Sequence, residues 1–142
     1  MASIDFARIE QLFRTVSEAG RNRLLEHECY ELLDATGAEA VPTSRLVPAG
    51  ARPSADDLAA IPGSHVVLKI VSPDIVHKTE AGGVRIVAND LAEVTEAFDA
   101  MLAEAPSAYV EYLKSTEEGR RVLEGGDVDS LRSRVVGILI CQ

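Results

Sequence analysis

Lys69, His77, Lys78 and the pair Gly82-Gly83 lie in one short stretch, between apolar runs at Val66 to Val71 and Val84 to Ala88. Together these types suit a loop that handles phosphate. A lysine inside a β-branched run holds an ammonium at a fixed place on a sheet, and paired glycines let the backbone approach an anion with no Cβ in the way. A neutral imidazole can attack a phosphoryl group or an acyl phosphate, while a neighbouring ammonium offsets charge on the transferred oxygens. Each residue also has an ordinary reading. Strand alternation puts Lys69 with Val67 and Val71, opposite Leu68 and Ile70, which also fits the solvated side of an antiparallel sheet. His77 fits an exposed loop position, and Gly82-Gly83 an ordinary bulge or turn.

Other chemistries find less support. A metal site could be built from His27, Cys29, His65 and His77, but His27 and Cys29, two apart on an expected helix, face different directions. No Gly-x-Ser-x-Gly elbow, Walker phosphate loop or dinucleotide fingerprint occurs. A formal charge of −9 over 142 residues, with no basic run, argues against a nucleic-acid partner. A single nucleotide needs only a few local cations, which Lys69 and Lys78 supply. Cys29 and Cys141 read as reduced core residues, and no run approaches the length of a membrane span, so a soluble, cytoplasmic chain with no membrane partner is expected.

The elements around the loop follow from periodicity. Phe6, Ile9, Leu12, Phe13 and Val16 predict an amphipathic leader helix over 5–18, and Leu25, Cys29, Leu32 and Leu33 a second over 23–35, stopped by Gly37. Residues 40–47 read as a short strand, and 54–60 as a short helix with Asp56 and Asp57 in its first turn. Residues 65–71 and 83–88 read as strands flanking a polar loop over 72–81. Asp90 and Glu93 open a helix expected to run to about Ala103, with Pro106 close behind. A further helix is expected over 107–124, ended by Gly125-Gly126-Asp127, and a last apolar strand over 135–141. The fold class is α/β (α+β): a mixed, mainly antiparallel sheet of about four strands flanked by helices. The chain divides into a leader helix, 1–21, and a domain over 22–142.

The strings Leu25-Glu26-His27-Glu28, Val41-Pro42, Val67-Leu68-Lys69-Ile70, Ser72-Pro73-Asp74-Ile75, His77-Lys78-Thr79 and Gly82-Gly83-Val84 resemble the ATP-grasp region of ADP-forming acyl-CoA synthetases, the acetate-CoA ligase type. Gly137 to Gln142 resembles the strand leading to that family's adenine-holding hinge. The resemblance runs from about residue 23 to the end and implies the first ATP-grasp subdomain, with the second expected after Gln142. It implies phosphoryl transfer between ATP or ADP and an acyl phosphate by way of phosphohistidine. By this resemblance Lys69 and Ser72 bind the nucleotide, Lys78 and the Gly82-Gly83 backbone cover its β- and γ-phosphates, Gln142 borders the adenine, and His77 is the catalytic phosphate carrier. Mg²⁺ ligands are expected outside this chain, and CoA acts in the complete enzyme. The implied partners are the second subdomain and a CoA-binding subunit or domain, in an oligomer. This chain by itself is expected to be inactive. The alternative is a non-catalytic ATP-grasp-like binding or regulatory module of a larger acyl-CoA or acyltransferase protein.

Overall fold

A computed structural model of the chain describes residues 3–38, 40–76, 78–123 and 128–142. These form two compact units, 1–42 and 43–142.

The first unit holds two helices, α1 (Phe6–Glu18) and α2 (Glu26–Ala35). Asp5 caps α1 by accepting from Arg8 N–H at 3.0 Å. Arg8 in turn joins the helices by donating to Asp34 at 2.7 Å. α2 starts three residues later than its apolar spacing predicts, because Glu28 folds back to accept from Leu25 N–H at 2.7 Å and so fixes the helix entry. The same carboxylate receives both terminal nitrogens of Arg21, at 2.8 and 2.6 Å, and it is buried. Burial alone would raise the Glu28 pKa, but the Arg21 hydrogen bonds and the Leu25 N–H outweigh it and hold the carboxyl below its ordinary range.

The second unit contains β1 (Ser44–Pro48), α3 (Ala55–Ala59), β2 (His65–Val71), β3 (Val84–Ala88), α4 (Leu91–Lys114), α5 (Glu117–Leu123), α6 (Val128–Ser133) and β4 (Gly137–Cys141). Its sheet has the order β1-β4-β2-β3, with every neighbouring pair antiparallel. The final strand therefore inserts at the centre, where all five of its residues are buried. β1 is an edge strand, which accommodates Pro48 at its end.

One face of the sheet packs on α4. Val66, Leu68, Ile70, Ile138 and Ile140 form a continuous core with Val94, Phe98 and Met101. Where the sequence suggests a stop near Pro106, α4 continues for two further turns. The reason is visible in the buried set: Ala97, Met101, Ala105, Tyr109 and Leu113 keep helical phase through the proline. Their burial outweighs the one backbone hydrogen bond that proline removes. The chain breaks instead at Ser115 and Thr116, whose hydroxyls donate back to Tyr112 O and Leu113 O. Thr116 Oγ1 then caps α5 by accepting from Gly119 N–H at 2.9 Å. The single helix expected over 107–124 is thus the end of α4 plus α5. The expected Gly125-Gly126-Asp127 stop lies outside the described residues. Among the described residues, no helix is long and apolar enough to cross a membrane.

Candidate functional site

Lys69 sits near the end of β2, directly across from Val84 on β3 and Leu139 on β4. Strand alternation places it on the face opposite Leu68 and Ile70, which point to α4. It is half-buried. The ordinary and the chemical readings of this lysine therefore share one geometry, a side chain on the face turned away from the helical layer.

Beyond β2 the chain makes a pinned excursion. Ser72 is buried, and its Oγ accepts from Asp74 N–H at 3.2 Å, turning the chain directly after the strand. Asp74 Oδ1 accepts from Arg134 Nη1 at 2.9 Å. Ile75, 1% exposed, drops into the core, and Val76 N–H donates to the Tyr109 hydroxyl at 3.4 Å. The chain returns to the core at Ala81, also 1% exposed. Ile75 and Ala81 are the two feet of the loop. His77, the expected phosphate carrier, lies outside the described residues.

Lys78 opens a tight turn. Gly83 N–H donates to Lys78 O at 2.6 Å and Gly82 N–H to Thr79 O at 3.1 Å, with Gly82 at φ +66°. This nested pair of bonds, with a left-handed glycine, is the arrangement that commonly ends a helix, made here by a single turn. Gly83 O then accepts from Ile70 N–H at 2.8 Å, which seats the turn on β2 beside Lys69. Both glycine amides are accordingly occupied within the turn.

Gln142 follows β4, and its N–H donates to Thr43 O at 3.1 Å. The register pairs Cys141 with Val67, so Gln142 lies at the opposite end of β2 from Ser72. At about 3.3 Å per residue the two ends are roughly 20 Å apart, with Lys69 between them. The structure thus brings Ser72, Lys78, Gly82 and Gly83 to one end of the sheet, with Lys69 partway along β2 beside the turn and Gln142 at the other end.

Sequence reasoning did not single out Asp74, Tyr109 or Arg134 as holding this loop. Asp74 stood inside a recognised string without a partner, Tyr109 belongs to the apolar stripe of α4, and Arg134 has no local signal at all.

The ATP-grasp domain model matches residues 15–116. The chain belongs to the ATP-grasp domain family. It is 36% identical over 104 residues to a 4-hydroxybutyrate–CoA ligase [ADP-forming] of Nitrosopumilus maritimus, covering 72% of this chain and 14% of that protein. It is 35% identical over 89 residues to the beta subunit of acetate–CoA ligase [ADP-forming] I of Pyrococcus furiosus, covering 63% of this chain and 37% of that one. Among solved structures it resembles the dinucleotide forming acetyl-coenzyme A synthetase 1 of Ca. Korarchaeum cryptofilum, in complex with coenzyme A, Ca-AMPCP and HgCl+. The TM-score there is 0.57 at 28% identity, covering 92% of this chain and 47% of the other. This ATP-grasp chain is therefore homologous to ADP-forming acyl-CoA synthetases and spans less than half the length of each of these three proteins.

Proposed function

We propose that this chain supplies the nucleotide-binding part of an ADP-forming acyl-CoA synthetase and works as the first ATP-grasp subdomain. The observation that carries the reading is the seating of the Lys78–Gly83 turn on β2 beside Lys69 in a chain of this family. Lys69, partway along β2, and Lys78, opening the turn beside it, would offset phosphate charge. Gln142 at the far end would border the adenine. The separation between the two ends is comparable to the length of an extended nucleoside triphosphate.

In this reading a ring nitrogen of neutral His77 attacks the transferred phosphorus. An N–P bond forms as the P–O bond to the leaving ADP, or to the acyl carboxylate in the other direction, breaks. Ser72 would orient the start of the loop. Gly83 serves through its missing Cβ, which lets the loop lie flat on Ile70. Because both glycine amides are satisfied within the turn, they would reach phosphate oxygens only when it opens. Among the described residues, no group of three or more His, Cys, Asp or Glu side chains gathers for a metal. Mg²⁺ would arrive with the nucleotide and be held by groups expected outside this chain, and no step here is routed through it. The second subdomain and a CoA-binding domain or subunit are the proposed partners, within an oligomer.

Equilibrium titration with Mg-ATP tests the assignment, using this chain and a version extended by a second ATP-grasp subdomain. Tighter binding by the extended version is expected, and equal affinity would sink the reading. Acid-labile label from γ-labelled ATP should appear in the assembled protein and vanish in His77→Ala. Label that persists unchanged in that variant would leave the chain a binding module without a phosphate carrier.

A further inference from the structure

The loop of the site proposed above lies between Ser72 and Gly83, yet one of its fastenings comes from much further along the chain. Arg134, in the short link between α6 and β4, donates from Nη1 to Asp74 Oδ1 at 2.9 Å. The link is itself tied to the sheet, since Val136 N–H donates to Val71 O at 2.8 Å. At the other side of the loop's first foot, the Tyr109 hydroxyl accepts from Val76 N–H. Ile75, between these two tethers, is a core residue. The segment 72–76 is thus held at its turn by Ser72, at its carboxylate by Arg134, at Ile75 by burial and at Val76 by Tyr109.

We infer that Arg134 and Tyr109 are positioning residues for the phosphate-handling loop, and that the α6–β4 link, which lies outside residues 15–116 matched by the family model, is a working part of the site. The inference rests on the function proposed above where transfer chemistry is concerned, but the tethering itself does not. The Arg134–Asp74 pair is partly exposed, with side-chain exposures of 55% and 26%. Such a pair adds little to global stability. Its effect is local, because Asp74 lies next to the buried foot from which the chain departs toward 77. Tyr109 holds the other side through an acceptor oxygen that phenylalanine lacks, with the ring left in the core.

Two measurements on Arg134→Ala, Arg134→Lys and Tyr109→Phe decide the matter. In the isolated 142-residue chain, amide hydrogen exchange at Asp74 and Val76 should speed up in Arg134→Ala. At Val76 it should also speed up in Tyr109→Phe, while core amides such as Leu68 and Ile140 keep their wild-type rates. Unchanged exchange at both positions in both variants would overturn the inference, whatever the chain's chemistry. In the assembled protein, the rate of acid-labile labelling should fall roughly tenfold in Arg134→Ala. That lies between the few-fold effect of an exposed ion pair and the hundredfold cost of a 1 Å misplacement. Mg-ATP affinity should stay within about twofold, and Arg134→Lys should recover part of the rate. A labelling rate equal to wild type would also overturn the inference. Absence of label in the wild type would count against the proposed function instead, leaving the exchange measurement to judge the tethers.

Discussion

A Cβ built on Gly83 would stand 2.5 Å from Ile70 Cγ2 and 3.0 Å from Lys78 O, so alanine there must push the turn off the strand that seats it. Gly83→Ala should cost about 1–3 kcal/mol, the usual range for overpacking. At Gly82 space is open and the difficulty is the backbone, since φ +66° disfavours a side chain by about 1–2 kcal/mol. Gly82→Asn should be milder than Gly82→Ala, and urea unfolding of the three variants gives the ranking. In the other unit, Glu28 supplies a pH dependence of definite sign. Its pKa is depressed in the folded chain, so its contribution is complete above the ordinary carboxylate value of about 4 and is lost as pH falls through the folded value. Glu28→Gln should therefore be less stable than wild type at neutral pH and should show a flatter acid limb of stability against pH. Arg21→Ala, which strands the buried carboxylate, should be worse, at about 3 kcal/mol or more.

Two elements define the helical and sheet layers and fail in different ways. Phe98 on α4 is completely packed against the sheet, and Phe98→Ala should cost about 3–5 kcal/mol by opening a cavity. Gly137 at the start of β4 would place a Cβ 2.2 Å from Val47 O, so Gly137→Ala should disturb the β1–β4 pairing rather than the α4 face. Thermal melts rank the two, and amide exchange across β1 separates them. These elements also show what the sequence makes legible. The bounds of β2 follow from its β-branched apolar run, which Lys69 alone interrupts, and those of α1 and α3 within a residue from periodicity and caps, because those signals are local. Pro106 misleads because the side chains that override it, Tyr109 and Leu113, earn their place only through burial against other elements. The residues at and near the Ser72 end of the sheet were legible as a cluster of types suited to phosphate. The Arg134 and Tyr109 tethers were not, because nothing near them in sequence points to residues 74 and 76.

Taken as a whole, the chain carries a formal charge of −9, while Lys69 lies in β2 and Lys78 opens the turn beside it. A nucleotide approaching it meets local attraction within general repulsion. The isolated chain should therefore gain little stability from Mg-ATP. At a concentration equal to Kd the gain is about 0.4 kcal/mol, so a thermal shift below about 3 °C is expected at millimolar ligand. If the Gly82 and Gly83 amides contact the nucleotide as proposed, the turn at Lys78–Gly83 would also limit how fast such a complex forms. With both glycine amides already accepted by Lys78 O and Thr79 O, a ligand that draws on them can bind only the fraction of molecules in which the turn is open. Observed association rates should then level off as ligand concentration rises, at a ceiling set by the unwinding of one turn of backbone rather than by diffusion.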